Sequence, residues 1–389
     1  MSKLDELINQ LCPDGVEYVK LGSVATISRG GNFQKKDFKN EGIPCIHYGQ
    51  IYTKYGYFVR ETISYISEEV AKRQKFAVCN DIIMAVTSEN IEDVCKCVVW
   101  QGAEKCAVSG HAAVIHHNQN AKYLCYYFHS SMFFSQKQKI AHGTKVIEVT
   151  PDKLMDIIIP LPPLEVQSEI VRILDNFTEL TAELTAELAS RKEQYKYYCE
   201  AILLADNDAR WVRLEEIADI GTGSSNTNEG LDEGLYPFFV RSQEPRRKNE
   251  YEYDETAIIT AGDGVGVGKV YHYIEGKYAL HQRAYRIHIN TDEVMPKYYF
   301  YYMKSAFLPY IQKTMFQGSV ASIRRPMLNA FPVPVPTIER QREIVATLDK
   351  FDSLCNDIQS GLPAEIDARQ KQYEFYRDKL LTFKEKAIS

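Results

Sequence analysis

The sequence has no apolar run long enough to cross a membrane, although 45% of its 389 residues are hydrophobic. A membrane-spanning helix needs roughly 18 or more consecutive apolar residues. The first residues, Met1 to Leu7, also lack the apolar segment of a signal peptide. We therefore expect a cytoplasmic chain with no membrane partner. Its length predicts two or more domains, and its apolar content is sufficient for well-packed cores.

The nine cysteines lack the spacing of a disulfide framework or of a structural zinc site. Their number is odd, they are scattered, and no two of them form a C-x-x-C pair. The densest group consists of Cys95, Cys97, Cys106 and His111. Because the paired spacing is missing, packed core thiols are the preferred interpretation, and we assign no metal ligand.

Motifs for catalysis are also missing. Residues 262–269 are rich in glycine, but Asp263 and Val270 stand where a phosphate-binding loop requires other residues. The segment Leu161-Pro-Pro-Leu164 resembles the proline pair of adenine methyltransferases without its polar and aromatic flanks, so we interpret it as a hinge. No nucleophile, base and oxyanion donor come together in any motif. The sequence therefore predicts no catalytic residue and favours a recognition function.

Positive charge is in short supply, since the net charge at pH 7 is −6. Residues 164–204 carry −4 and residues 338–389 carry −1, which leaves −1 for the rest of the chain. Near-neutral domains can bind DNA through local basic patches. The acidic segments favour protein partners.

The chain contains an internal duplication. The segment of residues 160–177 returns as residues 334–351, and seven identities at one offset lie between Gln167 and Phe177 and between Gln341 and Phe351. Each copy has a mixed domain, a proline-rich hinge and then a helical segment. The first helical segment, residues 164–204, contains neither Gly nor Pro, and at 1.5 Å per residue it would be roughly 60 Å long.

Apolar residues at steps of three, four and seven form a stripe along each helical segment. We expect the two stripes to pack together as an antiparallel pair, with a kink or break at Gly361-Leu362-Pro363. The stripe residues that we assign to this pairing are Phe177, Leu180, Leu184, Leu188, Tyr195 and Tyr198 in the first copy, with Leu348, Phe351 and Tyr373 in the second.

The predicted fold class is α+β, with two pseudo-symmetric mixed domains separated by a long antiparallel helical coiled-coil pair. The predicted segments are 1–160 and 206–335 for the domains, and 161–205 and 336–389 for the helical regions. Residues 77–86 and 257–261 have the composition of buried strands. Residues 94–100 and 269–274 alternate as half-buried strands do.

Probable loops of both domains combine basic, amide and aromatic groups, which suit contacts with phosphates and base edges. Corresponding positions differ between the copies, so the two domains would read different half-sites. The candidates in the first domain are Arg29, Asn32, Lys35, Lys36, His47, Tyr48, Gln50, Lys54, Thr144 and Lys145. Those in the second domain are Arg241, Gln243, Arg246, Arg247, Lys248, Gln282, Arg283, Arg324 and Arg325.

Several motifs together give the chain a family resemblance. They are the opening Leu11-Cys-Pro-Asp-Gly-Val-Glu-Tyr18, the hinge Leu-Pro-Pro-Leu-Glu-x-Gln-x-Glu-Ile, the tandem Thr-Ala-Glu-Leu units within 178–188, and Gln194-Tyr195-x-x-Tyr198. With these motifs the chain resembles the specificity subunit of type I restriction-modification systems over nearly its whole length.

The resemblance implies two target-recognition domains that each read one half of a bipartite, asymmetric sequence in double-stranded DNA. It also implies helices that set the spacer and dock two methyltransferase subunits, with restriction subunits completing the complex. The chain itself would be non-catalytic and without a cofactor, because S-adenosylmethionine, ATP and Mg²⁺ would bind to partner subunits. The second helical segment departs from the first, since it lacks the Thr-Ala-Glu-Leu units.

A structural adaptor is the alternative from another functional class. Its long helices would bridge proteins, and its domains would bind other subunits or peptides rather than DNA. Sequence preference in duplex binding separates the two hypotheses, because an adaptor has none.

Overall fold

The computed structural model describes residues 2–204, 209–314, 322–357 and 360–387. The chain forms two compact units. The first unit combines residues 1–183 with residues 367–389, and the second unit comprises residues 184–366. Each unit therefore contains one copy of the mixed domain together with helical segments from both copies. The functional boundaries near residues 160, 205 and 335 stay predictions, because these units are defined by packing alone.

The first half of the chain contains a mixed domain and the long helix. Its helices are α1 (Lys3–Leu11), α2 (Tyr48–Thr53), α3 (Glu68–Ala71), α4 (Ala121–Phe128), α5 (Ser131–Ile140), α6 (Pro151–Met155) and α7 (Leu164–Leu204). Its strands are β1 (Tyr18–Lys20), β2 (Ala25–Arg29), β3 (Ile43–Ile46), β4 (Phe58–Val59), β5 (Tyr65–Ile66), β6 (Lys75–Ala77), β7 (Ile82–Ala85), β8 (Thr87–Ser88), β9 (Cys97–Trp100), β10 (Cys106–Val108), β11 (Ala112–His117), β12 (Ile147–Glu148) and β13 (Ile158–Pro160).

The second half repeats this plan with fewer and longer strands. The strands are β14 (Arg210–Arg213), β15 (Ala218–Thr222), β16 (Tyr236–Phe239), β17 (Arg246–Lys248), β18 (Tyr253–Ala261), β19 (Tyr271–Leu280), β20 (Ala284–Ile289) and β21 (Pro332–Val335). The helices are α8 (Pro296–Thr314), α9 (Arg325–Asn329), α10 (Ile338–Asn356) and α11 (Leu362–Leu380). No helix in the described ranges is long and apolar enough to cross a bilayer.

A five-stranded sheet in the order β2-β11-β7-β9-β4 is the centre of the first unit. Successive side chains of a strand point to opposite faces. Ile82 and Met84 of β7 therefore enter one apolar cluster, which also contains residues of α4 and α7, while Ile83 and Ala85 enter another. A sheet that is covered on both faces needs continuous apolar strands, which explains the composition of this segment.

The corresponding sheet of the second unit has six strands in the order β15-β20-β18-β19-β16-β17. Its β18 is a single nine-residue strand, whereas the first unit has the separate strands β6 and β7 in this part of the fold. The prediction of one strand over residues 77–86 is therefore wrong. Asn80 adopts a positive φ of 72° between β6 and β7, which interrupts the extended backbone.

The helical segments form as predicted, with one long helix and one interrupted helix. The 41-residue α7 is continuous. In the second copy α10 ends at Asn356 and α11 begins at Leu362, so the predicted break at residues 361–363 is confirmed. Pro363 lies in the first turn of α11, where its missing N–H removes no hydrogen bond.

A buried glutamine fixes the hinge before each long helical segment. In the first unit, Nε2 of Gln167 donates to the Pro162 carbonyl at 2.8 Å and its Oε1 accepts from the Asn120 N–H at 3.1 Å. In the second unit, Gln341 makes the same pair of contacts with Pro336 and Met295, at 2.9 and 2.8 Å. The repeated glutamine thus satisfies main-chain groups that burial would otherwise leave unpaired.

The first unit also ties the two ends of the described chain together. The Val16 N–H donates to the Lys384 carbonyl at 2.8 Å, and the Lys386 N–H donates to the Val16 carbonyl at 3.0 Å. Tyr18 Oη donates to the Phe383 carbonyl at 3.0 Å. The segment after α11 therefore belongs structurally to the first mixed domain.

Candidate nucleic-acid interface

The corner between β3 and α2 carries three of the predicted contact residues of the first unit. Tyr48 and Gln50 lie in the first turn of α2 rather than in the predicted loop, because His47 alone separates β3 from the helix. His47 caps α2, and its Nδ1 accepts from the Gly49 N–H at 3.3 Å. Burial lowers the pKa of His47, and nearby Lys35 adds to the shift. The Tyr48 ring lies 4.5 Å from the His47 ring and 5.0 Å from that of His111. This corner is therefore aromatic and largely neutral.

Gln50 points inward rather than toward a ligand. Its Oε1 accepts from the His47 N–H at 2.9 Å, and its Nε2 donates to Ser64 Oγ at 2.8 Å. Both ends of the amide are thus used within the domain. This arrangement gives Gln50 a role in holding the α2 corner, and a direct base contact by it stays a prediction.

Arg29 is also held by its own domain. Its Nε donates to the Gly110 carbonyl at 2.7 Å, and its Nη1 lies 2.8 Å from Glu148 Oε1. The remaining candidates of this unit are exposed, and Asn32 and Lys36 line a shared groove of about 330 Å³ with Arg73. The exposed candidates are Asn32, Lys35, Lys36, Lys54, Thr144 and Lys145.

Two arginines of the second unit meet on one carboxylate. Asp263 accepts from Arg241 Nη1 at 2.7 Å and from Arg283 Nη1 at 3.1 Å. Burial by itself would raise the pKa of Asp263, but the hydrogen bonds from Arg241 and Arg283 outweigh it and lower that pKa. The carboxylate therefore stays charged and restricts both guanidinium groups, which are partly exposed. Asp263 comes from the glycine-rich loop of residues 262–269, whose function sequence reasoning missed.

The basic run in β17 presents its three side chains differently. Arg247 is exposed, whereas Lys248 is mostly buried and its Nζ lies 2.7 Å from Glu229 Oε2. Arg246 donates from Nη1 to the Thr227 carbonyl at 3.0 Å. Burial alternates along a strand because neighbouring side chains point to opposite faces. Arg247 is therefore the residue of this run that is best placed for a phosphate.

The last candidates of the second unit lie on its surface. Gln243, Gln282, Arg324 and Arg325 are exposed. Gln282 Nε2 donates to Asn226 Oδ1 at 2.5 Å, and Arg324 is the residue before the first turn of α9. Arg241 lies near the loop of Gln282 and Arg283, because Asp263 contacts both arginines. The backbones of Ser225 and His281 also pair beside this loop.

Equivalent aromatic residues pack the helices within each unit. In the first unit, the Phe177 ring of α7 stacks on Tyr376 of α11 with centroids 5.5 Å apart. In the second unit, the Tyr198 ring of α7 stacks on Phe351 of α10 at the same distance. Each of these contacts joins α7 to a helix of the second copy, as the predicted pairing of the two stripes requires. The antiparallel order of the whole pair stays a prediction.

The other stripe residues also face their helix partners or a core. Tyr195 lies 6.3 Å from Phe351 between ring centroids, and Tyr373 lies 6.4 Å from Tyr126. Leu348 is fully buried. The stripe residues Leu180, Leu184 and Leu188 are half-buried at their regular spacing.

A long helix of each unit also exposes a large aromatic residue that the stripe analysis missed. Phe375 of α11 is 63% exposed and Tyr197 of α7 is 68% exposed. Each of them directly precedes a stacking tyrosine, Tyr376 or Tyr198, so the same offset relates both pairs. The Phe375 side borders an open groove of about 850 Å³ that is lined by Lys371, Glu374, Asp378, Lys379 and Thr382. The signal in the sequence was the repeated aromatic pair, Tyr197-Tyr198 and Phe375-Tyr376, of which only Tyr198 had been assigned.

The cysteines that lie close together in the sequence are packed core thiols, as predicted, and they do not form one group. Cys95 and Cys97 belong to the cluster on one face of the central sheet, while Cys106 belongs to the cluster on the other. His111 Nδ1 lies 3.1 Å from Thr87 Oγ1. Cys97 instead approaches Cys125 and His129, two residues that were not considered as its partners.

Residues 13–191 and 208–368 both match the family model for the type I restriction modification DNA specificity domain. The chain therefore belongs to this family, and the internal duplication consists of two copies of the family's domain. The α+β fold with two mixed domains and a long helix between them is confirmed.

The relatives with assigned names are specificity subunits. The chain is 36% identical over 248 residues to the type I restriction enzyme EcoR124I/EcoR124II specificity subunit of Escherichia coli, covering 58% of this chain and 61% of that protein. It is 30% identical over 267 residues to a Haemophilus influenzae protein named as a type I restriction enzyme specificity subunit, covering 62% and 68%. The match thus spans less than two thirds of the Escherichia coli protein and just over two thirds of the Haemophilus influenzae protein.

Solved structures share the fold at low sequence identity. A type I restriction-modification S subunit from M. genitalium has a TM-score of 0.56 and 15% identity, covering 94% of this chain and 96% of that one. A chain from a structure on the assembly of the type I restriction-modification system has a TM-score of 0.61 and 18% identity, covering 95% and 98%.

Proposed function

We propose that the protein is the sequence-specific DNA-recognition subunit of a type I restriction-modification complex. Each unit binds one half of a bipartite, asymmetric site in double-stranded DNA, and the chain itself performs no chemistry. The observation that carries the proposal is the double match to the DNA specificity domain, with different polar groups at corresponding loops of the two copies.

The difference at corresponding loops supports two distinct half-sites. β3 and β16 each pair in parallel with their neighbouring strand, so the loops after them occupy equivalent places in the two copies. The first unit has the neutral His47 and Tyr48 there, and the second has Arg241 held by Asp263. Arginine suits the acceptor edge of guanine, whereas neutral aromatic and amide groups suit other contacts.

The middle of α7 is proposed to set the distance between the half-sites. The Thr-Ala-Glu-Leu units of residues 178–188 lie within the continuous helix. Each four-residue unit adds about 6 Å of helix, which is comparable to one or two base-pair steps of about 3.4 Å. Insertion of one further unit after Leu188 is expected to lengthen the recognised spacer. Replacement of Thr185 to Leu188 by another helix-forming quartet of equal length is the matched control and should leave the spacer unchanged.

The helical surfaces are proposed to dock two methyltransferase subunits. Phe375 and Tyr197 are equivalent, exposed and set on helices of the two units, as expected for two copies of one partner. Substitution of either residue by Ala should weaken binding of one methyltransferase copy. The restriction subunits complete the assembly, with S-adenosylmethionine, ATP and Mg²⁺ bound by the partners.

Mapping of methylated adenines in the host genome, with and without this gene, tests the proposal. Loss of the gene should remove methylation at one bipartite motif and leave other motifs unchanged. An unchanged methylation pattern in a host with active partner subunits would contradict it. Binding of the partner subunits without any preference among duplex sequences would favour the structural adaptor instead.

A further inference from the structure

Three atoms that commonly bind metals converge in the first unit, apart from the loops and helix surfaces considered above. Cys97 Sγ of β9 lies 4.0 Å from Cys125 Sγ of α4. His129 Nδ1, in the residue that ends α4, lies 3.9 Å from each of the two sulfur atoms. A search of the Cys, His, Asp and Glu side chains in the described residues for groups of three or more that could share an ion gives these three residues.

The size of this triangle matches a thiolate-imidazole metal site. A point equidistant from atoms that are 4.0, 3.9 and 3.9 Å apart lies about 2.3 Å from each of them. Zinc binds cysteine sulfur at about 2.3 Å and histidine nitrogen at about 2.0 to 2.1 Å. The imidazole must move by a few tenths of an ångström and turn, because Nδ1 now faces the Cys125 carbonyl oxygen at 2.8 Å. Two soft sulfur ligands and one imidazole select zinc-like transition metals over Mg²⁺ or Ca²⁺.

The surroundings fix the three ligands. Cys97 and Cys125 are buried, and the Tyr57 ring covers the His129 imidazole at a centroid distance of 4.1 Å. The Tyr57 carbonyl oxygen lies 3.8 Å from Cys125 Sγ and is a further oxygen close to the triangle. The thiolate is the form of cysteine that binds metal.

We propose that Cys97, Cys125 and His129 bind one zinc-class cation that fastens α4 to the central sheet. Binding Zn²⁺ replaces the two thiol protons, which leave to solvent, and the imidazole stays neutral. Its Nδ1 lies 2.8 Å from the Cys125 carbonyl, as expected when it carries a proton. Metal binding moves that proton to Nε2 and breaks this hydrogen bond, with no net change in the protonation of the ring. Because two thiol protons are released, the affinity should fall as the pH is lowered.

The site would stabilise the part of the unit that holds the long helix. Lys122 and Tyr126 of α4 both contact Asp175 of α7, at 2.6 Å in each case. An ion between β9 and α4 would therefore fix the helix that anchors α7. Corresponding positions in the second unit offer no equivalent, since the same anchor there uses Lys297 and Tyr301 without a Cys and His group among the described residues.

Cobalt substitution tests the proposal in the full-length protein. Protein stripped of metal with a chelator is titrated with Co²⁺ while sulfur-to-cobalt absorption is recorded in the near ultraviolet. We expect the band to saturate at one equivalent and to disappear on addition of Zn²⁺, and we expect Zn²⁺ to raise the Tm of the stripped protein. Absence of the band together with an unchanged Tm in Zn²⁺ would overturn the proposal without recourse to any variant.

Matched variants locate the ion. Cys125→Ala and His129→Asn should lose the band, while Cys106→Ala, a buried thiol on the opposite face of the sheet, and Cys79→Ser, an exposed thiol, should keep it. His129→Asn retains two thiols and a polar side chain, and its circular dichroism spectrum reports whether it folds. A band that survives in a folded His129→Asn variant, or that is lost in Cys79→Ser, would contradict the assignment.

Discussion

The two units use the same contacts to hold their helices and different contacts in their loops. Asp175 accepts from Tyr126 and pairs with Lys122 in the first unit, and Asp349 does the same with Tyr301 and Lys297 in the second. The segments after β3 and β16 differ in their side chains, with His47 and Tyr48 in the first unit and Arg241 in the second. The identities between the copies therefore mark interactions that each unit needs to fold, and the differences mark surfaces that are free to diverge.

Removal of a core leucine should have the largest effect on this comparison. Leu174 and Leu348 are equivalent and fully buried beneath their helices. Leu174→Ala and Leu348→Ala are each expected to reduce the free energy of unfolding of their unit by about 2 to 5 kcal/mol, because each leaves a cavity. Urea denaturation measures the loss, and the exposed Leu164→Ala is the control. A strong loss at only one of the two positions would show that the units are not energetically equivalent.

Substitution of the hinge glutamines should have the next largest effect. Gln167→Leu and Gln341→Leu each remove an amide that satisfies buried main-chain groups, so each should cost about 1 to 3 kcal/mol of unfolding free energy. Thermal and urea denaturation provide the measurement. Gln243→Leu, at an exposed loop position, should change stability little. Equal losses of unfolding free energy for Gln243→Leu and Gln341→Leu would argue against a stabilising role of the hinge glutamine.

An acid titration should separate the two units at a glutamate that both copies share. Hydrogen bonds from Arg172 and Lys3 hold the pKa of Glu169 at about 2, against an ordinary value of 4.5. Because the folded-state pKa is lowered, this contribution to stability is present above pH 4.5 and is lost as the pH falls from about 4.5 to about 2. Glu169→Gln should therefore flatten the acid dependence of stability in that window.

Glu343 is the matched control for that titration. It is exposed and pairs with Arg340, and no residue equivalent to Lys3 reaches it in the described parts of the second unit. Because exposed ion pairs contribute little to stability, Glu343→Gln should change the free energy of unfolding little. An equal change in stability for Glu169→Gln and Glu343→Gln would show that the two units do not differ at this glutamate.

The smallest expected effect concerns DNA affinity. Arg247→Ala should weaken duplex binding by the complex with methyltransferase and reduce the salt dependence of log K by about one unit of slope, as for one lost phosphate contact. Lys248→Ala should change the slope less, because Glu229 already neutralises Lys248. Fluorescence anisotropy at several salt concentrations measures both slopes. An unchanged slope for Arg247→Ala would remove this residue from the interface.

The architecture could be predicted from the sequence because the helices and their breaks depend on local patterns of residues. The period of apolar residues predicted α7, and Gly361 with Pro363 predicted the break between α10 and α11. The packing partners were also predictable in kind, since stripe residues such as Phe177 and Phe351 had to be covered by another apolar surface. These features depend on spacing along the chain, which a single sequence contains in full.

The candidate interface was less predictable because it depends on which side chains meet across the fold. Gln50 has a side chain that suits a base contact, but both ends of its amide form hydrogen bonds within the domain, with His47 and with Ser64. Asp263 looked like part of a glycine-rich turn, although it positions Arg241 and Arg283. His129 lies 32 residues from Cys97, too far in sequence for local spacing to connect them. Such pairings are decided by tertiary packing rather than by local composition.

The hydrogen bonds between Val16 and residues 384–386 join two segments that are far apart in the sequence. Val16 is buried, and these bonds use both its main-chain N–H and its carbonyl. Truncation after Leu381 would leave both groups without partners, so it should destabilise the first unit although residues 384–386 follow the second copy in the sequence.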